Sequence, residues 1–335
     1  MKFDVVIGNP PYQQDSQGTS SRQEAIYNDF VNLSYKLSPL VTLITPGRFL
    51  FNAGSTPKKW NKDMVTDPHI KVILYEQDSS KIFPHTDIKG GVAVTLRDES
   101  KLLGPIGTFT IFPELNSILK KVEPHLQHGS LTKIIYVQNK FNLNVLNSKV
   151  PSANRTDKRL ESNIFTKFDI FHNERESKDD LKILGLVNGK RVYRYVDKEF
   201  IDLDHPNLNK YKVLLPKSNG SGALGEALST PLIGEPLIGY TRTFIGVGAF
   251  NNQEEVDAAL KYIKCKFARA MLGVLKITQD NNPDKWEKVP LQDFTSKSDI
   301  DWTKSIPEID QQLYKKYNLS DEEINFIETK VQAMD

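Results

Sequence analysis

The sequence predicts an α/β fold: parallel strands with covering helices and an antiparallel return, followed by a mixed α+β region. Three observations predict it. Apolar, β-rich runs at residues 3–7, 40–45 and 70–75 alternate with two helix-patterned stretches, the texture of a parallel sheet. A glycine pair, Gly90-Gly91, leads into another run at 92–96, and so short a link suits an antiparallel return. From about Ser130 the chain changes to short alternating strands, basic loops and glycines. A length of 335 residues accommodates two domains.

The first helix is expected over 22–37, with Ile26, Phe30, Leu33 and Leu37 as its apolar stripe and Ser38-Pro39 as its stop. Thr56-Pro57 opens a second helix running to about residue 65, with proline at a favourable early position. A further strand is expected at 106–112 and a connecting helix at 113–127. The domains read as 1–112, a connector at 113–129, and 130–335. The last helix, 320–333, starts on Ser320 with Glu323 three positions on, a capping box.

The chemistry is concentrated just after the first strand, in Asn9-Pro10-Pro11-Tyr12. Two prolines fix φ and remove two N–H donors, so Asn9 and Tyr12 project from a stiff turn. The Asn9 side-chain carbonyl and the Pro10 backbone carbonyl stand free as acceptors. A primary amine has two N–H bonds to give, and holding both aims its lone pair at an electrophile. Tyr12 offers a flat face for a planar ring. This suits alkylation of the exocyclic amine of a base taken out of the duplex.

These residues resemble the catalytic motif of adenine-N6 DNA methyltransferases. The succession of motif, helix with Tyr27-Asn28-Asp29-Phe30, strand with Ile44-Thr45-Pro46, and Phe-Pro loop with Gly90-Gly91 is similar to Eco57I-type restriction-modification methylases over residues 3–97. The resemblance implies a fold, an activity and a set of roles. The fold is part of a doubly wound methyltransferase sheet followed by a mixed α+β target-recognition domain. Asn9 and Pro10 grip the adenine amine, Pro11 stiffens the turn, Tyr12 stacks on the flipped base, and Phe83 packs on its other side. The donor is S-adenosylmethionine, which Asn9 touches at its edge. The partners are double-stranded DNA and an upstream methyltransferase or nuclease polypeptide supplying the cofactor-binding half.

Between residues 140 and 217 basic residues outnumber acids, with Arg155, Lys158, Arg159, Lys190, Arg191, Arg194 and Lys217 in small groups and Tyr193, Tyr195 and Tyr211 among them. Such a mixture suits phosphate contact and base-edge reading. The stretch from 211 to 279 also resembles the second half of the recognition domain of those methylases.

Two glycine patterns compete for attention. Gly220-Ser221-Gly222-Ala223-Leu224-Gly225 matches a dinucleotide fingerprint, but Ser229-Thr230-Pro231 arrives before a helix can develop. Phe244-Ile245-Gly246-Val247-Gly248 mimics a methyltransferase cofactor loop and would make the chain a complete, permuted enzyme. Against that, the helix predicted from 253 to about 275 leads to no second strand ending in an acid. A non-catalytic DNA-specificity subunit is the other alternative. Neither a nuclease motif on a strand nor a zinc-ligand cluster is found in the sequence.

One cysteine, Cys265, excludes an internal disulfide and fits a reducing cytoplasm. No 18-residue apolar run could cross a membrane, and the first residues do not form a signal peptide. A formal charge of +2 permits a polyanionic partner only where basic residues cluster locally.

Overall fold

Four strands, β1 (Val5–Gly8), β2 (Leu40–Pro46), β3 (Ile70–Glu76) and β4 (Val92–Asp98), make the first sheet, in the order β1-β2-β4-β3. The computed structural model describes residues 3–13 and 24–334. They divide into two compact units, Met1–Asn116 and Ser117–Asp335. In the first unit β1 and β2 run parallel, with Val5 opposite Leu40. β4 is antiparallel to both β2 and β3. The returning strand therefore lies between two parallel-running strands, not at the end of the sheet. The strand expected at 106–112 does not form. Ile106 and Phe109 pack on the core from irregular chain instead, and the Gly107 N–H donates to Val65 O at 2.8 Å.

Helices α1 (Tyr27–Leu37) and α2 (Lys58–Thr66) share one core with Val41, Leu43, Ile70 and Ala93 of the sheet. Both helices thus cover the same face. The connections β1-α1-β2 and β2-α2-β3 advance in one direction across the sheet, and crossovers of one hand then place their helices on one side. The described residues form a sheet wound one way only. The doubly wound arrangement read from the sequence would need strands beyond β1, where the direction reverses.

α1 also corrects the sequence reading of its face. It begins at Tyr27; Arg22 lies outside the described residues. Tyr27, Asn28 and Val31 are its buried residues, whereas Phe30 and Leu33 of the expected stripe are exposed. β1 is bare in the same way. Val6 packs on the core, while Phe3, Val5 and Ile7 are exposed, Ile7 to 79%.

The second unit starts with α3 (Pro113–Val122), which crosses the division between the units, and continues through β5 (Ile135–Tyr136), α4 (Leu143–Lys149) and α5 (Ile164–Lys167). Strands β6 (Asp180–Val187) and β7 (Lys190–Asp197) form a hairpin. Its two-residue turn, Asn188-Gly189, has φ of 50° and 73°, the geometry that matches strand twist. β8 (Tyr211–Pro216), β9 (Leu232–Gly234), β10 (Ile238–Tyr240) and β11 (Phe244–Phe250) complete two sheets, ordered β10-β6-β7 and β5-β11-β8-β9.

The helix expected from 253 to 275 is broken into α6 (Gln253–Lys264) and α7 (Lys266–Gly273). Asp310, on α8 (Ile306–Lys316), causes the break to hold. Its buried carboxylate accepts the Lys266 and Phe267 N–H groups at 3.0 and 2.9 Å and so caps α7 from outside. The last helix, α9 (Asp321–Lys330), carries the capping box of Ser320 and Glu323.

The glycine-rich loop before β9 is filled by the protein's own carboxylate. Glu226 accepts the Ser221 N–H at 3.0 Å, the Gly222 N–H at 3.1 Å and the Ser221 hydroxyl. Gly222 (φ +97°) and Gly225 (φ +76°) run against backbone, where a Cβ would stand 2.3 Å from Thr278 N and 2.4 Å from Lys330 O. A phosphate would find the loop's donors already engaged. The Ser221 hydroxyl, helped by these N–H groups, holds the Glu226 carboxyl down to about 2 from 4.5. A lowered folded-state pKa stabilises the loop above the unfolded value and loses that contribution as pH falls through the folded one. Protection factors of the Ser221 and Gly222 amides should accordingly fall between pH 4.5 and about 2, and should be low at every pH in Glu226→Gln. Protection that stays constant over this range would mean the carboxylate does not hold the loop.

Candidate functional site

β1 ends at Gly8, opposite Leu43, and the chain leaves the sheet through Asn9, Pro10 and Pro11. Asn9 and Pro11 are exposed; Pro10 and Tyr12 are half-buried. Within the described residues neither the Asn9 carboxamide nor the Pro10 carbonyl has a hydrogen-bond partner. Both acceptors are uncommitted at the strand's C-terminal end, the end where open α/β sheets hold ligands.

Tyr12 is fixed from both sides. Gln13 bridges Ala25, and the Ile26 N–H donates to the Tyr12 carbonyl at 3.2 Å. Its ring packs against the core cluster. Its hydroxyl is closed off from solvent with no hydrogen-bond partner among the described residues, and burial pushes its pKa up to about 12. The phenol stays neutral at any working pH. A buried hydroxyl left without a partner is uncommon and calls for a ligand or a functional reason.

Beside it lies a cavity of about 220 Å³, lined among others by Tyr12, Tyr27, Pro46, Arg48, Asp87 and Lys89. Arg48 was not singled out from the sequence. It follows β2 in a turn of 3₁₀ helix, Gly47–Phe51. Its Nε donates to the Lys89 carbonyl at 2.5 Å. Gly90 (φ +83°) leaves room for it: a Cβ there would stand 2.5 Å from Arg48 Cγ. Pro46-Gly47-Arg48 and Gly90-Gly91 are both evident in the sequence, but their contact, 42 residues apart in chain for Arg48 and Gly90, is tertiary. Phe83 is half-buried, with its N–H donating to Ser79 O at 2.8 Å. It does not line the cavity; the part of that loop which does is Asp87, Ile88 and Lys89.

This geometry belongs to a stretch with known relatives. Residues 1–83 match the Eco57I restriction-modification methylase family. An uncharacterized adenine-specific methylase of Mycoplasma pneumoniae (strain ATCC 29342 / M129 / Subtype 1) is 36% identical over 95 residues, 28% of this chain and 22% of the relative. The resemblance to Eco57I-type adenine methylases thus holds as a similarity of the N-terminal segment. The type IIG restriction endonuclease BpuSI aligns over 93% of this chain and 50% of its own, at 10% identity and a TM-score of 0.32. So loose a superposition carries no argument.

Phe244–Gly248, read from the sequence as the alternative cofactor loop, does not fit a loop. It lies within β11, between β5 and β8, and these five residues are buried. Gly246 is small because Tyr240 and Asn207 approach it: a Cβ would stand 2.4 Å from the Tyr240 hydroxyl. Its glycines serve core packing, and Gly246→Asp would report folding rather than cofactor binding. The permuted arrangement is therefore overturned by the strand. Among the described residues no group of three His, Cys, Asp or Glu could hold a metal ion.

In the second unit the basic residues separate. Arg155 is 9% exposed. Its Nε donates to Asp157 O at 3.0 Å and its Nη1 to Glu161 at 3.1 Å, and its guanidinium lies 5.6 Å from both the Phe141 and Phe168 rings. A side chain so enclosed is part of the fold, which corrects its reading as a DNA contact. Arg159 is exposed but paired with Asp157 at 2.6 Å. Lys158 and Lys190 are exposed. Arg191 and Arg194 point to opposite faces of β7, because they are three apart on a strand of period two. Arg191 lies over Phe244, and Lys217 joins it around one cleft.

Arg155→Ala should destabilise the second unit by about 2–3 kcal/mol, somewhat less than the ~3–5 kcal/mol of a fully buried pair because Glu161 reaches solvent. Urea unfolding would measure it. An unchanged midpoint together with a weaker salt dependence of DNA binding would restore Arg155 as a DNA contact.

Proposed function

We propose that this chain is the base-binding and DNA-recognition part of a site-specific adenine-N6 DNA methyltransferase of a restriction-modification system. The observation that carries the reading is the end of β1: among the described residues, two uncommitted acceptors, from Asn9 and Pro10, stand beside a fixed tyrosine whose hydroxyl has no partner. Asn9 Oδ1 and Pro10 O accept the two N–H bonds of an adenine amine. This draws the nitrogen lone pair out of conjugation with the ring and directs it toward the donor. Tyr12 supplies the stacking face that offsets loss of the base from the duplex. Arg48 adds a cation to the wall of the neighbouring cavity.

S-adenosylmethionine supplies the methyl group in this reading. The residues that hold it would lie beyond the outer edge of β1, on strands contributed by another segment or polypeptide. Support comes from the one-way winding of the sheet and from the apolar side chains left bare on β1 and α1. The matched relative is more than four times longer than the shared stretch. The test is N6-methyladenine in DNA exposed to the chain together with a polypeptide that supplies those strands, read by mass spectrometry. Methylation of cytosine, or none in an assembly that binds both donor and DNA, would sink the assignment.

A further inference from the structure

In the second unit a cleft of about 570 Å³ is lined by Arg191, Lys217 and Arg242, with Asp280 as the only carboxylate among its lining residues. We propose that this cleft is a phosphate-binding site, and that its source of phosphate is the backbone of DNA. The proposal rests on the DNA reading above and adds the place of contact and a residue, Arg242, that the sequence did not single out.

Three cations meet there from three separate parts of the fold: the start of β7, the end of β8 and the turn between β10 and β11. Among the described residues none of the three is in an ion pair. Asp280 accepts from the Asn282 amide at 2.5 Å. Arg191 is partly engaged, with Nη1 donating to Thr230 O at 2.6 Å and its plane over Phe244 at 5.8 Å. That leaves further donors of its fork directed by a fixed side chain. Lys217 is held by backbone on both sides, its N–H donating to Thr243 O and its carbonyl accepting from Asn281 N, both at 2.9 Å. The Arg242 N–H donates to Leu160 O at 2.7 Å, while its side chain is exposed.

Ser162, Ser218, Ser229 and Thr243 also line the cleft, and hydroxyl-bearing residues with cations are the usual phosphate partners. Burial lowers the Lys217 pKa and repulsion from Arg242 lowers it further, against the pull of Asp280. Like charges gathered in a partly buried place are unfavourable until an anion arrives. A phosphate oxygen relieves the repulsion that the fold itself does not cancel.

The experiment uses the full chain, with anisotropy of a labelled duplex measured over a range of salt. Lys217→Gln and Arg242→Gln should each reduce the slope of log affinity against log salt by about 1. Lys315→Gln, the same charge change on an exposed lysine of α8, should leave it unchanged. Because Arg242 is exposed, its variant tests the site even if Lys217→Gln fails to fold. Inorganic pyrophosphate should shift the Ser218 and Thr243 amide resonances in the wild type and not in the Arg242→Gln variant. If pyrophosphate shifts them and no duplex binds, the phosphate site stands and the DNA reading falls. If the duplex binds with a steep salt slope that neither variant changes, the cleft is not where DNA binds and the proposal is overturned.

Discussion

Asn9→Ala should lower methyl transfer by about 10²–10³-fold in an assembly that contains both the donor and this chain, because one preorganised acceptor for the reacting amine is lost. Donor affinity and duplex affinity should stay near normal. Asn9 is exposed and its carboxamide makes no hydrogen bond within the described residues, so its removal takes nothing from the fold. That separates this variant from a destabilised one: thermal unfolding should be unchanged while the single-turnover rate collapses. Asn9→Asp is the sharper companion. It keeps the size and an acceptor, but places a charge where a neutral carbonyl is required. Tyr12→Ala should differ in kind, weakening retention of the extruded base by roughly 1–3 kcal/mol. It should also cost stability, since the ring packs on the core. Undiminished N6-methyladenine formation by Asn9→Ala would remove the central claim.

The second large effect concerns the bare edge. Among the described residues β1 pairs with β2 on one side only, and Phe3, Val5, Ile7, Phe30 and Leu33 are exposed in the same unit. Burying an aliphatic or aromatic side chain fully is worth about 1.5–3 kcal/mol, so covering several of them supplies a substantial driving force for association. An unpaired apolar strand also offers a row of backbone donors and acceptors to another strand. By itself the chain should self-associate, bind S-adenosylmethionine weakly or not at all, and show no methylation. A polypeptide that adds strands beyond β1 should restore dispersity, donor binding and activity together. Ile7→Lys should reverse all three gains while leaving the fold of the isolated chain intact, because Ile7 is 79% exposed there. Sedimentation velocity and calorimetry decide between the outcomes. A monomer that binds S-adenosylmethionine with micromolar affinity would overturn the shared-sheet reading.

The sequence by itself determined the order of the four strands and two helices of the first sheet and offered a turn for the chemistry proposed here; the strand expected at 106–112 did not form. Strand-forming runs, proline stops and the Asn9-Pro10-Pro11-Tyr12 turn are local features, written in consecutive residues and in dihedral angles that proline and glycine restrict. The capping box at Ser320 was legible for the same reason. Only the tertiary structure decided the rest. Periodicity shows that α1 is amphipathic, but the core takes Tyr27 and Val31 and leaves Phe30 and Leu33 outside, a choice made by neighbours rather than by spacing. The glycines of Phe244–Gly248 read as a loop because glycine is permissive; in the fold Gly246 is small so that the Tyr240 hydroxyl can approach. Charge behaves likewise. Arg155, Arg159, Arg191 and Arg242 are equivalent letters in a sequence, yet one is buried over aromatic rings, one is paired with Asp157, and two face a shared cleft. The field at each guanidinium is set by groups distant in the chain, and no count of local residues contains it.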